Sequence, residues 1–435
     1  AFDIRFRPGN NQGRESRFRV GVLGIDFATE GPIKKGASSY LVNYRYSTLG
    51  LLSSMGVYLV GERVTNNFQD LSFNLVFRSP SNKSIHTVFG MGGLSEERYL
   101  PVENPENRVP GIANHWEDRV RPANMGAVGW TWAYLLNSRS YFKTVLAVVG
   151  SDIRRMSDTL NLDNQRFRYD TQRFTDKRVV ATALYQTTWG AKTTFKTGLI
   201  ANVLGFDFYK NVLNRTSVSD VSLPQETVSV DGQGTTQQLQ QYAQVQYAIS
   251  DKVRLNAGYH YLHLMVNNTR SLEPRLSVQF LPRINHRISV AYGVYSRTLP
   301  LMTYFVTDTL GRYINKDLDL LKAQHLVGAY HWYTKNKMRL SVEAYLQNMM
   351  NVPVEPSPTS TYWMLNNSSE FPVTKVVSEG KGKNYGVDVA IEKLFSNSYF
   401  FLVTGSWLTS TFQTFGGQTF NSRFNTRYSS SYTFG

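Results

Sequence analysis

The feature that constrains this chain most is a period of two. Segment after segment alternates apolar and polar residues, the pattern of a strand whose two faces meet different surroundings. Between Met338 and Gln347, Met338, Leu340, Val342, Ala344 and Leu346 share one face, and Arg339, Ser341, Glu343, Tyr345 and Gln347 the other. Val253, Leu255, Ala257, Tyr259 and Tyr261 oppose Arg254, Asn256, Gly258 and His260 in the same way. So do Leu276, Val278 and Phe280 against Arg275, Ser277 and Gln279, and Tyr385, Val387, Val389 and Ile391 against Gly386, Asp388, Ala390 and Glu392. About eighteen such segments run from Phe2 to Gly435 by the alternation rule. Soluble sandwiches alternate too, with the apolar face turned into a core, so periodicity leaves two architectures open.

The connections separate them. Very short turns are expected at Asn137–Ser140, Trp189–Lys192, Ser250–Lys252, Thr334–Lys337 and Phe395–Ser398. Long polar connections are expected at Asn211–Gln237, Arg297–Asp317, Asn351–Pro372 and Thr411–Asn425. Short and long tend to alternate, as they do in outer-membrane barrels with short periplasmic turns and long extracellular loops. A sandwich has no physical reason to sort loop length by parity. Glu30-Gly31-Pro32 reads as another short turn on the periplasmic side, with Pro fixing φ. The fold class is therefore all-β: a transmembrane antiparallel up-and-down β-barrel, because a sheet in hydrocarbon cannot leave an edge unpaired.

Composition agrees. No run of 18 or more apolar residues supports a membrane helix, and a mean hydropathy of −0.32 is too polar for a helical bundle. Yet there are 26 Tyr, 25 Phe and 7 Trp, which a barrel uses as girdles at both interfaces. The formal net charge is +15. The basic residues are scattered rather than gathered into a patch, which argues against nucleic acid. A basic balance suits contact with anionic outer-membrane lipid and lipopolysaccharide headgroups. Cysteine is absent, which excludes disulfides and thiolate metal sites.

Several stretches resemble the barrel of Bacteroidota-type TonB-dependent outer-membrane receptors. Phe6-Arg7-Pro8-Gly9-Asn10-Asn11, Glu30 to Lys35 and Ala37 to Ser47 resemble the first barrel strands of that family. Glu273-Pro274-Arg275 leads to Tyr292-Gly293-Val294-Tyr295-Ser296-Arg297, and Glu343-Ala344-Tyr345-Leu346-Gln347 to Val352-Pro353-Val354. Gly380-Lys381-Gly382-Lys383-Asn384-Tyr385-Gly386-Val387-Asp388 resembles a late strand. The resemblance spans nearly the whole chain in order. It implies one barrel domain over residues 1–435, with a plug domain expected upstream and closing strands downstream of about eighteen, toward the 22 of outer-membrane transporters. It also implies active nutrient uptake at the cell outer membrane and the TonB complex and its own plug as partners, and it allows a surface lipoprotein over the barrel. A passive porin-type diffusion channel is the alternative.

No motif points to catalysis, a cofactor or a metal. No Ser sits in a Gly-x-Ser-x-Gly elbow, and no glycine-rich segment has phosphate-loop spacing. His260 and His263 are expected on opposite strand faces, where they cannot share a metal. Glu343, Asp388 and Glu392 could form an acid–base pair, but fit better as the lining of a polar lumen with Asn43, Arg45, Arg254, Arg275 and Gln279. In the long connections, Tyr304, Phe305, Tyr313, Tyr362 and Trp363 are the candidate substrate-binding residues, because clustered exposed aromatics mark binding surfaces. The plainer role for them is packing loop against loop.

Overall fold

Alternation and short turns pair strands that follow one another in the sequence. The computed structural model describes residues 6–213, 226–334, 336–366, 372, 374–396 and 398–435, and its 19 strands form one antiparallel sheet. The chain divides into two compact units, Ala1–Ala183 with Ile200–Gln237, and Leu184–Leu199 with Gln238–Gly435.

In the first unit, β1 (Glu15–Gly21), β2 (Gly24–Lys34), β3 (Ser38–Tyr46), β4 (Val64–Arg78), β5 (Ser84–Tyr99), β6 (Glu117–Asn137) and β7 (Ser140–Leu160) each pair with the next. Then come β8 (Arg166–Trp189), β9 (Thr193–Leu213) and β10 (Glu226–Ala248), each with residues in both units. In the second unit, β10 is followed in register by β11 (Val253–Leu264), β12 (Thr269–Arg283), β13 (His286–Arg297), β14 (Leu321–Tyr333), β15 (Met338–Val354), β16 (Val377–Ser396) and β17 (Tyr399–Gln413). β18 (Thr419–Asn421) and β19 (Tyr428–Phe434) both lie against β17: Thr411 faces Asn421, Trp407 faces Tyr428 and Phe401 faces Phe434. They are one return strand interrupted at 422–427, so the sheet has the eighteen passes that alternation indicates once these two count together.

The longest connections fall at one parity within each unit, although others of that parity, at 22–23, 161–165 and 265–268, are short. In the first, the turns at 35–37, 79–83 and 138–139 are short, and the long connections 47–63 and 100–116 fall between them. In the second, the turns at 190–192, 249–252 and 284–285 are short, as are those after β14 and β16, and the connections after β13 and β15 are long; only five residues, 414–418, lie between β17 and β18.

Two expectations need correction. Asn211–Gln237 is largely strand, since β9 runs through Leu213 and β10 starts at Glu226; residues 214–225 lie outside the described residues. Glu30-Gly31-Pro32 is not a turn. It belongs to β2, facing Leu41, Tyr40 and Ser39, and the turn comes at 35–37. Proline is tolerated there because the register shifts between Pro32 and Lys34, and an irregularity of that kind takes a residue with no N–H.

The registers turn alternation into two continuous faces. Leu340, Val342 and Ala344 stand opposite Ile391, Val389 and Val387, and the row continues through Trp332, Tyr330 and Gly328 on β14 and His286, Ile288 and Val290 on β13. Val389 and Ile391 are each 37% exposed and Val290 is 52% exposed, so this face has no protein core behind it. The first unit repeats the arrangement with Leu71, Leu94, Val128, Leu146 and Val148. Near the short turns the same face carries stacked rings: His86 on Trp130 and Trp132, and His286 on Trp332 and Tyr330. Amphipathic rings in such a row suit the membrane–water interface. Among the described residues no helix is long and apolar enough to cross a membrane. On the other face of β15 and β16, Arg339 pairs with Glu392 (Nη2–Oε2 2.8 Å), and Glu343 stands directly opposite Asp388.

Val342→Arg, on the apolar face, is expected to cost about 2–4 kcal/mol if it lies near the bilayer midplane. Glu343→Gln, its neighbour on the polar face, should be close to neutral. Equilibrium refolding into lipid vesicles checks both, and a neutral Val342→Arg would refute lipid exposure.

Candidate functional site

In the second unit, polar side chains join laterally across the polar face. Gln240 Nε2 donates to Gln238 Oε1 (3.0 Å), and Gln240 Oε1 lies 3.2 Å from His260 Nε2. His260 Nδ1 meets Glu273 Oε2 at 2.9 Å, and Arg275 Nη2 donates to the same oxygen at 3.0 Å. The Arg275 guanidinium stacks on Tyr295 (4.5 Å), and Tyr295 packs on His325 (4.9 Å). The run continues through Gln347, Asn384 and Ser410 by hydrogen bonds of 2.9, 2.8 and 2.7 Å. Glu273 is only 1% exposed, so its charge is held by His260 and Arg275 rather than by water. His263 turns the other way, to Asn268, on the opposite face from His260.

Beyond the strands, four connections are stitched to one another. Asn315, buried, donates from Nδ2 to the Thr374 carbonyl (3.0 Å) and accepts the Val376 N–H at Oδ1 (2.9 Å), tying the β13–β14 connection to the β15–β16 one. Asn267 Nδ2 donates to the Leu318 carbonyl (2.7 Å), and Arg423 N–H donates to Asn366 Oδ1 (3.0 Å). Nothing in the local sequence around Asn315 marks it, because its partners are remote backbone groups.

Most of the candidate aromatics lie inside this assembly. Tyr304, on α1 (Leu301–Tyr304), is fully buried, and its hydroxyl accepts the Leu299 N–H; burial pushes the phenol up to about 12. Phe305 is buried and meets Tyr313 edge-on at 5.3 Å. Trp363 is buried, bridges to Val354 and stacks on Phe412 at 4.9 Å, in a cluster with Val352. Tyr313, 45% exposed, and the half-buried Tyr362 are the two that solvent reaches.

The Trp363 seat depends on glycine. A Cβ on Gly380 would stand 2.6 Å from the Val352 carbonyl oxygen and from Val354 Cγ1, and one on Gly382 would stand 3.0 Å from the Trp363 ring. The Gly380-Lys381-Gly382 spacing therefore leaves one face of β16 bare for the indole.

At the tip of the β13–β14 connection, Asp308 clasps its own loop. Its Oδ1 accepts the N–H groups of Leu310 and Arg312 (both 2.9 Å), and Oδ2 accepts from Arg312 Nε (2.8 Å). The Arg312 backbone N–H, then its guanidinium, hold the carboxyl below its ordinary range.

Beyond the apolar row, the strands of the first unit are charged on both faces. Asp118, buried, takes Arg98 and Arg166 on one oxygen (both 2.9 Å), and Asp170, buried, pairs with Arg155 (2.9 Å). Arg154 pairs with Asp152 and Arg173 with Asp207. Within this region a cavity of about 440 Å3 opens between β4, β5, β6, β7 and β8, lined by Glu97, Arg121, Arg154, Arg155, Ile153 and Phe174 among others. Sequence reading passed over these residues, because scattered arginines form no run. Their convergence comes from strand register. Among the described residues no group of His, Asp or Glu is placed to hold a metal.

An apolar face without a core, longest connections at one parity and a polar opposite face are the geometry of one fold. The fold is that of the TonB-dependent receptor barrels. The ferric yersiniabactin uptake receptor FyuA from Yersinia pestis superposes with a TM-score of 0.67 at 10% identity, over 98% of this chain and 66% of that one. The pyoverdine outer membrane receptor FpvA from Pseudomonas aeruginosa gives 0.66 at 11% identity, over 99% of this chain and 65% of that one. The RagAB peptide transporter gives 0.55 at 12% identity, over 92% and 51%. This chain thus spans two thirds or less of the length of these three structures. No family profile matches the sequence, and no characterised protein is detectably similar to it in sequence.

Trp363→Ala should cost about 3–5 kcal/mol, as expected for truncating a buried aromatic. Gly382→Val should give a similar loosening by driving the indole out. Both are read as protease cleavage appearing in the β15–β16 connection; uncut connections in both variants would show that the cluster does not hold them. The Asp308 clasp carries a pH signature. A carboxyl held below its unfolded value stabilises the loop fully above that value and loses the contribution as pH falls through the folded one. Hydrogen exchange at Leu310 and Arg312, corrected for intrinsic rate, should stay slow at neutral pH and rise only in acid below the ordinary carboxylate range. Asp308→Asn should exchange fast throughout.

Proposed function

We propose that this chain is the barrel of a TonB-dependent outer-membrane receptor that takes up a nutrient actively. The observation that carries the reading is the likeness of this sheet, over nearly its whole length, to receptor barrels of the TonB-dependent kind. In this reading the apolar face meets outer-membrane lipid and lipopolysaccharide, a plug domain of the same protein sits in the polar lumen, and the TonB complex supplies the work that moves it. The likeness to the RagAB transporter supports a surface lipoprotein as a further partner, and a Bacteroidota setting. Substrate arrives at the long connections, where Tyr313 and Tyr362 present the reachable aromatic surface; Tyr304, Phe305 and Trp363 hold that surface in shape from beneath.

The test is energy dependence. Cells expressing the full protein should take up its substrate only while the inner membrane is energised and TonB is present, and uptake should cease on adding a protonophore. Uptake unaffected by both would make the protein a porin-type diffusion channel.

A further inference from the structure

We propose that the cavity on the polar face of β5–β8 is a subsite for an oxyanion, a carboxylate or a phosphate monoester, carried on a compact apolar body. Its biological meaning rests on the transporter reading above; binding itself does not.

Register builds the site. Val120 faces Met156 and Ala123 faces Ile153, which sets Arg121 opposite Arg155 across β6 and β7. Like charges directly opposed on a ladder repel. The flanking strands answer from outside: Glu97 faces Arg121 from β5, and Asp170 on β8 holds Arg155 at 2.9 Å. The row across the four strands is thus acid, base, base, acid.

The two arginines are not equally served. Asp170 is buried and in close contact with Arg155. Glu97 is divided: one oxygen accepts the Tyr99 hydroxyl (3.0 Å), and the other stands 3.5 Å from Arg121 Nη1. Arg121 Nε is buried and has no hydrogen-bond partner, and Arg155 Nε, though 2.9 Å from Asp170, makes no hydrogen bond either. The rest of the Arg121 guanidinium is reachable, the side chain being 35% exposed, and such a group takes a planar oxyanion bidentately. Arg154 also borders the cavity, but its guanidinium is turned to the other face of β7, where it pairs with Asp152 at 2.9 Å. The rest of the wall is apolar, with Ile153 and Phe174 offering a surface to a hydrocarbon or aromatic body. At about 440 Å3 the cavity has the size of a small-molecule site.

Three probes of one shape test this on the full protein in nanodiscs: benzoate, phenyl phosphate and phenol, followed by equilibrium dialysis. The two oxyanions should bind and neutral phenol should not, and the tighter oxyanion identifies the source. Arg121→Gln should weaken binding about tenfold, the loss of a charge-assisted pair. Glu97→Gln removes the competing carboxylate and should tighten binding severalfold, a gain that misfolding cannot produce. Arg173→Gln, whose partner Asp207 lies outside the cavity, should bind as the parent does. Phenol binding as tightly as benzoate would overturn the subsite, as would a Glu97→Gln protein that binds no tighter. Oxyanion binding without energy-dependent uptake would overturn the transporter reading and leave the subsite standing.

Discussion

In hydrocarbon every backbone N–H and C=O must find a partner inside the protein, because no water is there to replace it. The unbroken ladders answer that demand: Val253 to Leu264 of β11 pairs residue by residue with β12, and His286 to Arg297 of β13 with β14. With the backbone committed, only side chains are free to vary, and they vary by face. The apolar face can do nothing but meet lipid. Chemistry is left to the polar face and to the connections, and the His260–Glu273–Arg275 contact and the Asp118 pairs are found on strands whose other neighbours are apolar.

Strand length decides how each part of the chain builds beyond the membrane. A tilted strand crosses the hydrocarbon in about 9–11 residues. β6 to β10 run 21 to 24 residues, so roughly half of each has no lipid to face. In that excess both faces can be polar, and the first unit fills it with ion pairs. Exposed pairs contribute little each, but buried Asp118 and Asp170 would be costly if left alone, so their arginines fix the register of the extensions. β11 to β14 run 12 to 15 residues and have little excess. There the connections themselves form the outer structure, held by Asn315 and the Trp363 cluster.

The same argument explains what could be read from the sequence. Alternation at 338–347 and 385–391 was legible because lipid on one side and water on the other impose it residue by residue. The stretch from Glu226 to Gln237 was not, because a strand with water on both faces has no reason to alternate and looks like a loop. Pro32 looked like a turn because the register shift that accommodates it is a property of two strands, not of one. Tyr304, Phe305 and Trp363 were legible as an aromatic group, but their burial was not. It follows from Asn315, Gly380 and Gly382, whose partners come from other connections. The arginines at the cavity were equally hidden, since β6 and β7 must be in register before Arg121 and Arg155 meet.

Like-charge neighbours show how much freedom the polar face has. Glu343 stands opposite Asp388, and Arg121 opposite Arg155. Neither pair could exist on the lipid face, where a single charge costs about 2–4 kcal/mol near the midplane. Where water reaches, repulsion is screened within about a Debye length, ~8 Å at physiological salt, and each pair is tolerable. The two differ in their surroundings. Glu343 and Asp388 lie beside the Arg339–Glu392 ion pair, which leaves the local balance negative and gives a passing cation a weak, open attraction. Arg121 and Arg155 line a cavity, and each keeps a buried Nε without a hydrogen bond. Screening cannot reach a buried N–H, so the basic pair stays energetically incomplete in a way the acidic pair does not. A face built to conduct would gain from the first arrangement. The second is useful only where something anionic is meant to stop.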